Sequence, residues 1–484
     1  MHTLTIFNHK QKYRVTFHGT PTVKQVLEEN KISMPHPCGG AGRCGKCAIE
    51  IIGTISAPDE KERDAGCRLS CRTRLYGDAV VTLCADTDLL AESSTEPIMP
   101  SANPSKKLGA AVDIGTTTVA LSIYDLTTGS CLATKTMLNP QSVVSADVMG
   151  RIEAATNQRL SDLQSMIVSC IHTLAETSGY IEQIDKWCIT GNTTMLYLLS
   201  GKNPQSFATA PYIAEHLFGE EISFLEKTAY LPDCIHAFAG ADLTCAVFAS
   251  GMCHKTETAL LCDIGTNGEI ALWKSGKLYT TSTAAGPVFE GAGISCGCQS
   301  IGGAIEHVTL QNHMLFIKTI DNKKAVGLCG SGVIDTVACL LDSGIADETG
   351  AMTEEKILLN ETVFFTQEDI RNVQLAKAAI AAGIRTLLEA TGTSEEEIST
   401  FYIAGGFGTH LNPDSAVRIG LFPAAFKNKI NILGNAALTG AARLLTDEEA
   451  KKQVHTIACA ADYLNLGGNP EFNKNYMEEM YFHK

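Results

Sequence analysis

Positive charge is scarce in this sequence: 38 Lys and Arg stand against 53 Asp and Glu, a net charge of −15 with His neutral. That balance argues against a nucleic-acid partner, because an acidic surface repels a phosphate backbone. Long apolar runs are missing as well. No stretch reaches the roughly eighteen apolar residues that a membrane helix needs. The N-terminal MHTLTIFNHKQKYRV alternates apolar and polar residues where a secretory signal needs an apolar block. The expectation is a cytoplasmic chain with no membrane partner. Paired zinc knuckles are absent too, since CxxC occurs once, at Cys44 and Cys47.

What is present reads as a folded protein of more than one domain. The chain has 484 residues, 45% of them hydrophobic and 19% charged. That is long enough for two or three domains and a large core. The 18 cysteines are not read as a disulfide framework in a cytoplasmic chain. Most of them, such as Cys170, Cys188, Cys245 and Cys339, stand alone among apolar residues and are expected to be buried, inert thiols.

Residues 1–90 read as a small β-grasp domain. LTIF and KYRVTF are strands around a polar turn at Asn8–Gln11, and a helix over Thr22–Asn30 opens on Thr22 as N-cap. Then comes PCGGAGRCGKC, residues 37–47, followed by the strand CAIEII. Cys38, Cys44 and Cys47 crowd one loop. Gly39, Gly40, Gly42 and Gly45 let the backbone curl around a cluster and aim N–H groups at its sulfurs. Three cysteines in a wrapped loop plus one distant cysteine is how a [2Fe-2S] cluster is held. The fourth ligand comes from GCRLSCRT, with Cys71 the first choice, Cys67 its rival and Cys84 a weaker one. The preference for Cys71 rests on resemblance, since the segment is similar to [2Fe-2S] ferredoxins. AESSTEPIMPSANPSKK, residues 91–107, reads as a semi-extended linker rich in Pro and Ser.

From Leu108 the pattern changes. LGAAVDIGTTTVALSIYDLTTGSCLATKT reads as three strands with tight turns, and ALLCDIGTNGEIALWKSGKLYTTST repeats it from Ala259. This is an internal duplication that splits the body into lobes 108–258 and 259–484. In each copy an apolar strand delivers an Asp, and a Gly then allows a close turn. Gly115, Thr116, Thr117 and Thr118 in the first copy, and Gly265, Thr266, Asn267 and Gly268 in the second, offer N–H groups and hydroxyls to phosphate oxygens. Asp113 and Asp263 are placed to hold Mg²⁺ directly or through water. FYIAGGFGTHL, residues 401–411, adds Gly405, Gly406 and Phe407 after a strand, where the backbone can lie against adenosine. A long helix precedes it, with Ile370, Val373, Ala376, Ala379 and Ile380 at helical spacing and Gly392 as its stop.

This layout resembles the ASKHA superfamily of acetate and sugar kinases, Hsp70 and actin. NPQ at 139–141, ADVMGRI at 146–152, TGNTTM at 190–195, AAGPVFEGAGISCG at 284–297, GLCGSGVID at 327–335 and QLAKAAI at 374–380 narrow the resemblance. They are similar to the ATP-dependent reductive activators of corrinoid proteins, in which a [2Fe-2S] domain precedes an ASKHA body. The fold class implied is α+β and α/β: a β-grasp ferredoxin domain, then a duplicated two-lobed, RNase H-like body. The resemblance adds Gly330 and Ser331 to the nucleotide-binding residues. Glu290 is expected to orient the attacking water, with Asp335 a weaker choice. Relatives with a C-terminal pair of [4Fe-4S] clusters carry CxxCxxC runs, whereas here the last stretch holds only Cys459.

The resemblance implies a function. Corrinoid methyltransferases work through Co(I), and accidental oxidation leaves inactive Co(II). The cluster would donate one electron, ATP would make the uphill step possible, and the partners would be a corrinoid protein and an upstream low-potential electron donor. A homodimer is left open. The alternatives are an ATP-driven donor to another enzyme, as in activators of 2-hydroxyacyl-CoA dehydratases, a nucleotide-binding redox sensor, and a small-molecule kinase.

Overall fold

The computed structural model describes residues 2–8, 11–30, 32, 34, 47–59, 62–63, 67–83, 107–312, 314–406 and 410–482. Cys38, Cys44, Cys84, the four loop glycines, the linker up to residue 106 and Phe407 lie outside the described residues. The chain divides into two compact units: Met1–Leu89 with Pro140–Arg151, and Leu90–Asn139 with Ile152–Lys484. No helix among the described residues is long and apolar enough to cross a membrane.

In the first unit β1 (His2–Asn8) pairs antiparallel with β2 (Gln11–Phe17). Helix α1 (Val23–Glu29) follows, its first turn closed by a capping box between Thr22 and Gln25. Strands β3 (Ala48–Ile55), β4 (Arg68–Leu69) and β5 (Leu75–Leu83) complete a sheet of order β2-β1-β5-β3-β4. Strand β5 alternates buried and exposed residues along its whole length, the period of a strand with one face on a core. Leu4, Ile6, Val23, Val26, Leu27 and Val81 form that core. This is the β-grasp order expected from the sequence. Pro140–Arg151 also groups with this unit, and there the buried Arg151 donates to Ser145 O at 3.0 Å and Gln141 Oε1 at 3.2 Å.

The second unit carries two sheets of one plan. In the first, β6 (Leu108–Ile114), β7 (Thr118–Asp125) and β8 (Cys131–Leu138) form an antiparallel meander, and β9 (Ile184–Gly191) runs parallel to β6. With β10 (Glu220–Phe224) and β11 (Lys227–Leu231) the order is β10-β11-β9-β6-β7-β8. In the second lobe β12 (Ala259–Ile264), β13 (Gly268–Lys274) and β14 (Lys277–Thr283) repeat the meander. A three-stranded sheet, β15 (Ala304–Gln311), β16 (Met314–Thr319) and β17 (Gly327–Leu328), and a hairpin of β18 (Lys356–Leu358) and β19 (Phe364–Thr366) are inserted next. Then β20 (Thr400–Ala404) runs parallel to β12, and β21 (Ile430–Gly434) and β22 (Asp462–Tyr463) give the order β21-β20-β12-β13-β14-β22.

Two helices lie between the lobes and pack on both. The helix Ala241–Ser250, called α2 here, ends the first lobe, and α3 (Ala436–Leu444) follows the second sheet. Yet Leu438, Ala441 and Leu444 of α3 pack with Ala111 and Cys188 of the first sheet. Leu243, Ala246 and Val247 of α2 pack with Ala259, Leu261 and Tyr402 of the second. The helices touch at Gly440, where an added methyl would collide with the Cys245 carbonyl. Only glycine permits that approach, and overpacking there would cost about 1–3 kcal/mol.

Candidate functional site: an iron–sulfur pocket and a nucleotide cleft

In the first unit, Ala48 pairs with Leu69 across β3 and β4, and Ser70 N–H donates to Cys47 O at 2.9 Å. This lays Cys71 beside Cys47, with sulfurs 3.2 Å apart. Both are buried, at 1% and 8% exposure. The separation is well beyond a disulfide bond of about 2.05 Å. It is near the roughly 3.8 Å between two thiolates that share a tetrahedral metal ion with 2.3 Å bonds. Cys67 is half-buried against the same core. Of the choices for a fourth ligand, Cys71 is placed with its sulfur beside that of Cys47.

In the second unit the two Asp-Ile-Gly-Thr turns meet. Strands β6 and β12 are apolar and buried until they deliver Asp113 and Asp263. Gly265 N–H donates to Asn267 O at 2.9 Å, closing the second turn. Thr117 Oγ1 and Thr266 Oγ1 lie 3.0 Å apart, one from each copy. Thr266 Oγ1 also stands 3.3 and 3.5 Å from the two carboxylate oxygens of Glu290. Thr116 Oγ1 accepts from Asn192 Nδ2 at 3.2 Å, and Gly115 O accepts from Asn139 Nδ2 at 2.8 Å. Thr118 and Gly268 begin β7 and β13. Gly405 lies behind the second turn at φ +93°, where a Cβ would sit 2.6 Å from Ile264 O and 2.8 Å from Asp263 Oδ1. Gly406 beside it is exposed.

Charge converges on this cleft. Asp113, Asp242 and Asp263 are half-buried, and Glu269 is buried. Burial pushes Asp113 up to about 6, against the donated bond from Asn435 Nδ2 at 2.9 Å. Burial, then the charge of Asp113, pushes Asp242 up to about 7. Asp263 goes to about 8, through burial and then Asp242, Asp113 and Glu290. Burial with Asp242 and Asp263 holds Glu269 well above its usual range. Carboxylates in this condition call for a cation. Among the described residues, no three His, Cys, Asp or Glu side chains close into a protein-only metal cage.

Not every expected residue joins the cleft. Ser331, near the start of the helix Gly330–Asp342, is buried and donates to Glu306 O at 2.8 Å. Asp335, 1% exposed, accepts from His307 Nδ1 at 3.0 Å and Val308 N at 3.3 Å. These bonds tie the helix to β15, and no described hydrogen bond links Ser331 or Asp335 to the two turns. Sequence reasoning missed Asp242, Glu269 and Asn435 and gave Asn192 no role. A signal was available: Gly-Asn or Gly-Ala-Asp opens a helix in TGNTTM, AGADLT and LGNAALT.

Comparison with known proteins decides the family. Residues 7–76 match the 2Fe-2S iron-sulfur cluster binding domain, 108–255 the RACo middle region, and 257–484 the C-terminal domain of RACo, the ASKHA domain. The chain is 30% identical over 430 residues to the corrinoid activation enzyme RamQ of Eubacterium limosum, over 79% of this chain and 72% of that one. The chain belongs to the RACo family. It is also 26% identical over 417 residues to the Co(II) methylated amine-specific corrinoid protein reductase of Methanosarcina barkeri, over 77% of this chain and 76% of that one. The solved structure of a reductive activator for corrinoid, iron-sulfur protein superposes on 99% of this RACo chain and 98% of its own, at TM-score 0.73 and 25% identity. The family and the ferredoxin-plus-ASKHA architecture expected from the motifs are the ones found. This RACo chain carries a [2Fe-2S] cluster-binding domain.

Proposed function

We infer that this RACo chain is an ATP-dependent reductive activator of a corrinoid protein, using one electron from its iron–sulfur domain to take Co(II) to Co(I). One observation carries the reading: a pair of duplicated phosphate-type turns meets at Thr117 and Thr266 in a chain whose other domain is of the cluster-binding type. RamQ and the Methanosarcina reductase, named for corrinoid activation and reduction, supply the substrate class.

In this reading the turn N–H groups and the hydroxyls of Thr116, Thr117 and Thr266 receive phosphate oxygens. Gly405 and Gly406, with Phe407 beyond them, back the adenosine. Asp113 and Asp263 anchor Mg²⁺, which when bound neutralises phosphate charge. Glu290, near Thr266, orients the attacking water. Cys38, Cys44, Cys47 and Cys71 would hold the cluster, which when bound supplies one electron. Because each lobe contributes one turn, nucleotide occupancy biases the lobes between two arrangements. The arrangement that binds the corrinoid protein then shifts the cobalt couple, and about 59 mV changes a one-electron equilibrium tenfold.

The test mixes chemically reduced protein with a Co(II) corrinoid protein and follows the visible spectrum. Co(I) is expected with ATP and not without it, and equal reduction in both would contradict the coupling. For the cluster, Cys71→Ser should lose most of the bound iron while Cys67→Ser keeps it. The reverse would move the fourth ligand.

A further inference from the structure

Glu290 sits on a loop that is tied down on both sides, and one long helix holds the far side. The loop leaves the second turn where Gly286 N–H donates to Thr266 O at 2.8 Å. It makes a single tight turn, Pro287–Glu290, and buries Phe289 and Ile294 in the core of the second lobe, at 1% and 2% exposure. The Glu290 carboxylate lies against the Asp-Ile-Gly-Thr turn itself, for a methyl added at Gly265 would sit 3.3 Å from its Oε1. Beyond Glu290, Asn372 Nδ2 donates to Gly293 O at 2.7 Å. Asp369 Oδ1 accepts from Ser295 N–H at 2.6 Å and from Ser295 Oγ at 3.0 Å. Asp369 is 1% exposed, and its other oxygen accepts from Thr366 N–H at 2.9 Å, at the cap of the helix Gln367–Ala390. The same helix packs on the second turn, since a methyl at Gly268 would sit 3.1 Å from Ile380 Cγ1. Asn372 and Ile380 lie about 12 Å apart along it, so one helix sets the spacing between turn and loop.

We propose that Asn372 and Asp369 are positioning residues for Glu290: they pin residues 293–295 to the helix and so set where the Glu290 carboxylate stands against the second turn. The proposal rests on the reading in which Glu290 orients the attacking water. Glu290 meets Thr266 Oγ1 at 3.3 and 3.5 Å, beyond the usual length of an O–H···O hydrogen bond, so that contact alone does not fix the carboxylate. The backbone that carries it has to. Yet Gly291 and Gly293 follow at φ +79° and +77°, a left-handed backbone in which glycine adds no stiffness of its own. The two anchors supply the missing order, and a displacement of 1 Å can cost a reacting group about a hundredfold in rate. Asp369 divides its carboxylate between the loop and the helix cap. The Asn372 amide gives its described bond to the loop, which makes Asn372 the cleaner residue to change.

The experiment measures ATP hydrolysis by the full, cluster-loaded chain, with the affinity for a non-hydrolysable ATP analogue and the melting temperature recorded for each variant. Asn372→Asp keeps the shape of the side chain and removes the hydrogen given to Gly293 O. It should lower kcat roughly tenfold or more and leave analogue affinity unchanged, the split expected of a group that acts in the transition state alone. Glu290→Gln should lower kcat about a hundredfold. Adding Asn372→Asp to Glu290→Gln should cost nothing further, because the group being positioned is already gone. Asp369→Asn, which also weakens the cap, should lower kcat and melting temperature together, and a wild-type kcat there would remove Asp369 from the pair. An unchanged kcat in Asn372→Asp, an analogue affinity that falls as far as kcat, or the same fold-loss in the Glu290→Gln background overturns the proposal. An unchanged kcat in Glu290→Gln is a different failure: it removes the water-orienting reading, and this proposal with it. If Asn372→Asp fails to fold, Asn372→Ala, which suits a helix, decides by the same readouts.

Discussion

The first Asp-Ile-Gly-Thr turn has a neutral neighbour where the second has an acid. Across the meander Asp113 is paired with Ala120, whereas Asp263 is paired with Glu269. Asp113 receives an amide hydrogen from Asn435. Asp263 instead faces the charges of Asp242, Asp113 and Glu290. The backbone plan is the same, strand for strand, but the electrostatics diverge. Two like turns meet in one cleft, and the second gathers more negative charge around its aspartate than the first.

The sharpest way to break this comparison is to neutralise each aspartate in turn. Asp263→Asn should cut ATP hydrolysis by roughly a hundredfold or more, since losing a metal anchor removes several kcal/mol of charge stabilisation. Asp113→Asn should cost clearly less. Equal losses measured by phosphate release would erase the asymmetry.

Gly405→Ala comes next. The position has φ +93° and faces Asp263 Oδ1, so the methyl should lower stability by about 1–3 kcal/mol and disturb the second turn. An unchanged melting temperature with unchanged ATP affinity would show that the backbone there tolerates a side chain.

A pH series is expected to give a smaller effect. A carboxylate whose folded pKa is raised binds its proton more tightly when folded. The stability it contributes is therefore complete below its unfolded value of 3.8 and is lost as pH rises through about 6 for Asp113, 7 for Asp242 and 8 for Asp263. The chain without nucleotide or metal should melt at progressively lower temperature between about pH 5 and pH 8.5. Mg²⁺ with a non-hydrolysable ATP analogue should restore most at the alkaline end. The slope should flatten more in Asp263→Asn than in Asp113→Asn, and identical slopes would count against the assignment.

Asn435→Ala should have the mildest effect on ATP hydrolysis, although it removes both the bond to Asp113 and the N-cap bond from Leu438 N–H, each worth about 1–3 kcal/mol of stability. It should make the first turn behave more like the second, raising the pH at which ATP hydrolysis reaches half its maximum. No alkaline shift would mean the amide is not what separates the two copies.

Much of this was legible in the sequence because it is local. The helix expected over Gln367–Gly392 runs Gln367–Ala390, with Thr366 capping its start, since apolar period and caps lie within a few residues of one another. Thr22 opens α1 for the same reason. The two turns announced themselves by repetition. Asp242 and Asn435 did not, because each opens a helix of ordinary apolar composition. Only the packing of those helices between the two sheets brings Asp242 toward Asp263 and Asn435 to Asp113. Ser331, named for nucleotide binding from the resemblance alone, donates its hydroxyl to Glu306 O.

The most direct measurement of the whole account uses Asp263→Asn. The variant is loaded with iron and sulfide, reduced chemically, and mixed with a Co(II) corrinoid protein and ATP. The account predicts wild-type iron content, a normally reduced cluster and no ATP-dependent Co(I) band. Formation of Co(I) at the wild-type rate would contradict it, for electrons would then be passing without the nucleotide cleft.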